Sequence, residues 1–252
     1  DYGFNMVLTK LISNSHPIIF DVGAENGNSS ERYIKLFSEP IIHNFEPRPD
    51  QFEIMKNKFN DKKNIYLNNV AVGSKAEIKI FNQIKSGGRS SFLTSTVDDL
   101  SKQEQIDVQV ETVDAYVKKN NIKKINLLKI DVQGFEGEVL RGAQEMLKSN
   151  KIDIIELELI VGNMYDKTLS FGEIENIIYP YHYRLFALTN HHSYEQYNTN
   201  IILQPNLQFD VIYTRDEFYK KYAYGRNFFE KSIYRKSLQT VAEYKKDKLI
   251  RK

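Results

Sequence analysis

The sequence predicts an α/β fold: a mostly parallel sheet with helices on both faces. Three observations lead there. Short apolar runs alternate with segments of helical periodicity, which is the pattern of repeated βα units. The first of those runs, Ile18 to Val22, leads straight into a glycine-spaced acidic turn, Asp21-Val22-Gly23-Ala24-Glu25-Asn26-Gly27. The residues able to carry chemistry fall at the C-terminal ends of the expected strands, where open parallel sheets bind their ligands.

Taken in order, residues 4 to 14 carry apolar side chains at helical spacing (Phe4, Val7, Leu8, Leu11, Ile12) and are expected to form a helix covering the sheet edge. Ile18 to Val22 is strand one. A helix follows, with Asn28 or Ser29 as its N-cap and Tyr33, Ile34 and Phe37 facing inward. Ile41 to Phe45 is strand two, and Pro49 opens the next helix because its fixed φ suits a first turn. Ile65 to Val72 is strand three. The alternation then breaks: Ala76 to Asn82 reads as an antiparallel strand, residues 85 to 91 as a polar loop, and Ile106 to Thr112 as another strand, together a β insertion on the ligand side. The alternation resumes with a helix at Val113 to Lys119, strand four at Ile125 to Val132, a helix after Gly134, strand five at Ile152 to Ile160 and a helix at Phe171 to Ile178. Tyr183 to Leu188, Asn200 to Leu203 and Phe209 to Tyr213 complete the strands, the last two antiparallel.

The turn after strand one is the most informative segment. Gly23 and Gly27 stand where the backbone must turn tightly or approach a ligand, since glycine accepts positive φ at little cost. A dinucleotide turn reads G-x-G-x-x-G and sets a pyrophosphate on a helix N-terminus. Here the pattern is D-x-G-x-x-x-G, with Glu25 in place of the middle glycine. A carboxylate there repels a diphosphate and suits a cationic or zwitterionic ligand, of which S-adenosyl-L-methionine, with its sulfonium and amino-acid tail, is the leading candidate.

The 252 residues have room for one large α/β domain, expected over residues 1–215, and a basic helical tail or linker over 216–252. Twelve basic against five acidic residues from Arg215 onward give this end of the chain a charge of +7, so residues 1–214 carry −5 of the total of +2. The tail could meet an acidic partner or membrane surface, and a solvated appendage is the plainer reading. Basic residues gather there and not around the expected cleft, which argues against a nucleic-acid partner. The sequence has no cysteine and shows no signal peptide, lipidation motif or apolar run long enough for a transmembrane segment, a pattern that fits the cytoplasm. A chain opening on Asp1 is expected to be a piece of a longer polypeptide whose further domains could be partners.

Asp21-Val22-Gly23-Ala24-x-x-Gly27, Asn44-Phe45-Glu46-Pro47, Leu128-Lys129-Ile130-Asp131-Val132-x-Gly134-x-Glu136, Val139-Leu140-x-Gly142-Ala143 and Ile155-Glu156-Leu157-Glu158 stand in order on the strand ends. Together these motifs, over roughly residues 17 to 215, resemble the FkbM-type family of S-adenosylmethionine-dependent O-methyltransferases. The resemblance implies the class I methyltransferase fold, a Rossmann-like sheet of about seven mostly parallel strands with an antiparallel last strand. It implies methylation of a hydroxyl on a sugar, glycan or related metabolite. Gly23, Ala24 and Gly27 would let the backbone pass the methionine moiety, with Asp21 orienting the turn or the amino group. Glu46 would accept the two ribose hydroxyls, and Asn69, Val70 and Ala71 would lie against the adenine.

Lys129 and Asp131, two apart in a strand, share a face. A buried lysine needs a partner, and strand five offers Glu156 or Glu158. Lys129, Asp131 and Glu158 are therefore expected to form the catalytic cluster, with Asp131 also touching the cofactor and Glu156 serving structure. Methyl transfer to an alcohol needs a base for its proton, and Asp131, Glu158 or one of the adjacent His191 and His192 could serve. Gln133 departs from the family pattern, where a glutamate is usual, and could hydrogen-bond the acceptor or the cofactor. The acceptor site is expected from Arg89 and Ser90 in the loop of residues 85 to 92, Asn163 and Tyr165 after strand five, and His191 and His192 in the segment 189–197. No ligand set for a metal emerges. Two other readings stay open: a nicotinamide-dependent sugar oxidoreductase, and a non-catalytic cofactor-binding module of a larger glycan-synthesis protein.

Overall fold

The computed structural model describes residues 2–84, 89–162, 164–188, 192–193 and 206–217. Helix α1 (Tyr2–Leu11) precedes β1 (Ile18–Val22), α2 (Asn28–Leu36), β2 (Ile41–Phe45), α3 (Pro49–Lys58) and β3 (Ile65–Asn68). Three strands then depart from the alternation: β4 (Ala71–Val72), β5 (Glu77–Ile84) and β6 (Gln103–Glu111). It resumes with α4 (Val113–Lys119), β7 (Ile125–Ile130), α5 (Glu136–Arg141), α6 (Gln144–Lys148), β8 (Ile152–Gly162) and α7 (Phe171–Ile178). The described chain closes with β9 (Tyr183–Leu188), β10 (His192–Ser193) and β11 (Asn206–Arg215).

The main sheet runs β11-β8-β7-β1-β2-β3, with β9 and β10 both pairing the outer edge of β11, so that the strands fill seven positions. The strands β1, β2, β3, β7 and β8 are parallel, and β11 is antiparallel to β8. This is the class I methyltransferase arrangement. Strand order reverses between β1 and β7, which opens a crevice beyond their C-terminal ends.

Strands covered on both faces must be apolar throughout. Phe20, Leu128, Ile130, Ile155 and Leu157 pack against α4 to α7 on one side, while Ile19, Ile42, Leu127, Ile154 and Ile212 meet α1 and α2 on the other. Local signals fix the helix ends: Pro49 at the start of α3, the Thr112 hydroxyl accepting from Ala115 N at 3.1 Å before α4, and a Ser170–Glu173 capping box before α7.

Four expectations need correction. Helix α1 covers a face, not an edge: Phe4, Leu8, Leu11 and Ile12 lie over Ile19, Leu127 and Ile154 in the sheet's middle. The cap of α2 is Gly27 in the left-handed region, with no side-chain cap from Asn28 or Ser29. The expected third strand divides at Asn69 and Val70, and β4 leaves the main sheet to pair with β6 in a separate sheet ordered β4-β6-β5. Strand four stops at Ile130, so Asp131 and Val132 stand just beyond its tip. The strand expected at Asn200 to Leu203 and residues 218–252 of the basic tail lie outside the described residues. No helix among the described residues is long and apolar enough to cross a membrane.

Candidate active site

A cleft of about 450 Å³ opens where β1 and β7 diverge, bounded by the turn after β1, the ends of β2 and β7, Glu158 within β8, and the β5–β6 insertion. Gly23 and Ala24 line it, and Gly23 has a further reason to be glycine. It sits at φ +77°, and a Cβ would come within 1.8 Å of the Asp131 carbonyl oxygen. Gly27, at φ +82°, would place a Cβ 2.4 Å from the Phe59 ring. Both glycines are thus demanded by packing as well as by the turn. The N–H groups of Gly23 and Ala24 both donate to Phe45 O, at 3.0 and 3.1 Å, tying the turn to β2.

That tie brings Glu46 against the turn. Its Oε2 accepts from Glu25 N at 2.8 Å and its Oε1 from Arg48 N at 2.9 Å. Glu25 reaches this position through a left-handed φ of 48°. Only 5% of Glu46 is exposed, and burial raises its carboxyl to about 7 despite those backbone donors. Each oxygen keeps a lone pair, so the group can accept two hydroxyl protons from a ligand in the cleft. Asn69 is turned away from the cleft: its amide donates to the carbonyls of Glu46 and Pro47, at 2.9 and 3.2 Å, and braces the loop from behind. Ala71 and Val72 lie on the cleft wall.

Charge gathers at the cleft floor. Lys129 Nζ lies 3.2 Å from Asp131 Oδ2, 3.4 Å from Asp21 Oδ1 and 3.3 Å from Gly23 O. Its partners are therefore just beyond the tip of its own strand, on β1 and in the turn after it, not on β8 as the sequence suggested. Glu156, opposite Lys129 in the ladder, is held by Arg32 and by Tyr33 OH. Burial works to lower the Lys129 ammonium, and the carboxylates of Asp131, Asp21 and Glu156 overcome it, so it stays charged. Asp21 is fully buried beneath the turn, accepting from Ser30 Oγ at 3.0 Å, and does not reach the cleft wall. Its part is to anchor Lys129 and the turn.

Gln133, at φ 55°, extends its amide between two acids: Nε2 donates to Asp131 Oδ1 at 3.0 Å and to Glu158 Oε2 at 2.7 Å. Its Oε1 accepts from Tyr165 OH at 3.0 Å. Burial pushes the Asp131 carboxyl up, but Lys129 and the Gln133 amide outweigh it and hold the group below the usual range. Burial and the facing charges of Asp131, Glu136 and Asp210 drive Glu158 well above it. Glu136, a motif residue for which no role was expected, accepts from Val132 N and Gly134 N at 3.2 and 3.1 Å and so fixes the loop carrying Gln133.

Of the expected acceptor residues, Arg89 and Ser90 line the cleft, Arg89 paired with Asp98 at 2.6 Å and the Ser90 hydroxyl accepting from Ile84 N at 2.9 Å. Tyr165 contributes through Gln133. Asn163 and His191 lie outside the described residues, and of His192 only the backbone, in β10, is described. Arg48, Phe81 and Phe135 also stand on the wall, with no site role expected for them from the sequence. Phe135 packs on Phe92 at 4.7 Å and Phe92 on Phe81 at 5.0 Å between ring centroids. The only signal was an aromatic residue next to Gly134 and another in β5, neither distinguishable from core.

Residues 21–185 match the model of the methyltransferase FkbM domain. The 2-O-methyltransferase NoeI of Sinorhizobium fredii is 22% identical over 183 residues, covering 68% of this chain and 74% of that protein. Among solved structures, the precorrin-6y C5,15-methyltransferase of Geobacter metallireducens GS-15 aligns with a TM-score of 0.44 at 9% identity, covering 84% of this chain and 87% of that one. Fibrillarin of Aeropyrum pernix with natively bound S-adenosyl-L-methionine also aligns at 0.44 and 9% identity, covering 79% and 66%. Those alignments are too loose to carry function, whereas the domain match spans well over half of the chain. The chain belongs to the FkbM family and is an S-adenosylmethionine-dependent methyltransferase.

Proposed function

We propose that this enzyme methylates a hydroxyl group of a sugar or glycan, within a catalytic domain formed by residues 1–215, and that Asp131 is the base. The observation that carries the reading is the placement of Asp131: about a third of its side chain is open to the cleft, yet Lys129 and Gln133 keep it ionised.

The cleft residues fit the cofactor. Glu46 offers two acceptors for ribose hydroxyls, and Glu25, Glu46 and Asp131 all line the cleft, a set that suits a cationic or zwitterionic ligand better than a diphosphate. When bound, S-adenosylmethionine supplies a methyl group on sulfonium sulfur, so that the acceptor's O–C bond forms as the S–C bond breaks and its electron pair stays on sulfur. The protein's task is to bring the hydroxyl oxygen to about 3 Å from that carbon and to receive its proton. Asp131 receives it on an oxygen already oriented by Lys129 or Gln133. Phe81, Phe92 and Phe135 give the wall apolar faces on which a sugar ring can stack. The relative named a 2-O-methyltransferase supports oxygen as the acceptor atom.

Incubation with labelled S-adenosylmethionine and a panel of monosaccharides, deoxysugars and glycans tests the reading. Label recovered as a sugar methyl ether, and lost when the corresponding hydroxyl is missing, is expected. Transfer to a nitrogen, a carbon or a nucleic acid in place of any sugar would overturn it.

A further inference from the structure

We infer that Gln133 is a positioning residue, whose amide bridges Asp131 and Glu158 into a carboxyl pair carrying a single proton, with Asp131 as the charged member on the cleft. The kinetic part of this inference rests on the reaction proposed above; the structural part does not.

The geometry is specific to an amide. Its nitrogen lies 3.0 Å from an Asp131 oxygen and 2.7 Å from a Glu158 oxygen, so that the two carboxyls meet on one donor group. Tyr165 OH lies on Oε1 at 3.0 Å, its proton shared with the Arg89 carbonyl at 3.2 Å, and the two acceptor acids set the NH₂ end of the amide toward themselves. Ser91 Oγ, donating to the Gln133 carbonyl at 2.7 Å, pins the left-handed backbone that aims the side chain. A glutamate would bring a third carboxyl to the same point, and an apolar side chain would strip both acids of a donor.

The surroundings decide where the proton rests. Asp131 faces the Lys129 ammonium from β7, which favours its charge. Glu158 faces Asp131, Glu136 from α5, Asp210 from β11 and the phenol of Tyr165, while Lys129 and Arg89 in the cleft are paired with Asp131 and Asp98. Two carboxyls held on one amide nitrogen, with burial raising Glu158, disfavour a second negative charge. The proton therefore stays on Glu158, and Asp131 is left as the acceptor for the hydroxyl proton.

Carboxyl carbon NMR titration of the whole protein tests the pair without reference to turnover, using wild type, Gln133→Met and Tyr165→Phe. In wild type, Asp131 is expected to stay ionised below the ordinary aspartate range while Glu158 titrates well above the ordinary glutamate range. In Gln133→Met the Asp131 titration should rise by about one pH unit, and in Tyr165→Phe by less in the same direction. With an acceptor in hand, Gln133→Met should lower kcat by about tenfold, move the acid limb of the kcat profile up with Asp131, and leave KM for the cofactor within about threefold. Both acids titrating together in the ordinary range, or an Asp131 titration unmoved in both variants, would overturn the inference. A titration that behaves as described, with no methyl transfer to any hydroxyl, would uphold the clamp and overturn the reaction.

Discussion

Replacing Glu46 by glutamine isolates the contact on which cofactor recognition is argued to rest. The two backbone donors, Glu25 N at 2.8 Å and Arg48 N at 2.9 Å, hold the carboxylate at the cleft and leave each oxygen a lone pair. An amide can accept at only one of those positions and sets an NH₂ against the other donor. Hydrogen bonds to charged groups contribute about 1.5–3 kcal/mol each, so losing one ribose contact should weaken binding by about 10- to 150-fold. Protonation should act in the same direction. Because burial raises Glu46 to about 7, its ionised form prevails only above that pH, and the wild-type affinity should fall by about tenfold per pH unit below it. Stability should move oppositely. A carboxyl raised in the folded state stabilises the fold below the ordinary value of 4.5, and that contribution is lost as pH rises through about 7. Calorimetric titration with S-adenosylhomocysteine from pH 6 to 8.5 reads both effects on binding, and Glu46→Gln should flatten the profile. Equal affinity in the two proteins at pH 8 would mean that the ribose is held elsewhere.

Lys129→Met leaves Asp21 and Asp131 without their shared cation and should destabilise the fold by about 3–5 kcal/mol in chemical denaturation; a loss below about 1 kcal/mol would show the pairing to be idle. Gly23→Ala forces a Cβ to 1.8 Å from the Asp131 carbonyl at positive φ and should cost more than about 2 kcal/mol along with cofactor binding. Gly172→Ala in α7, with no atom within 4 Å of the added carbon, should instead be neutral or stabilising by up to about 1 kcal/mol; similar thermal shifts in the two variants would contradict the packing argument. Asp131→Asn should lower kcat by about 10²- to 10⁴-fold with cofactor affinity within about threefold, and normal turnover would clear Asp131 of the base role.

Much of the frame was legible because short-range physics decides it. β1, β2, α4 and α7 keep the bounds read from periodicity, since Gly23, Glu46-Pro47, Thr112 and Ser170 are local signals that end or begin elements. The break at Asn69–Val70 was hidden, because an apolar run looks the same whether it continues in one sheet or crosses to another. The cleft floor was half legible: i, i+2 spacing placed Lys129 beside Asp131, but strand adjacency alone could not tell that Arg32, distant in sequence, would occupy Glu156. The roles of Gln133 and Tyr165 depend on a left-handed backbone and a contact 32 residues away, which no local pattern encodes.

The most direct measurement is a crystal structure with S-adenosylhomocysteine bound. The ribose hydroxyls are expected on Glu46 and the sulfur facing Asp131. A ligand whose ribose stands clear of Glu46, or whose sulfur points away from Asp131 and Glu158, would contradict that placement.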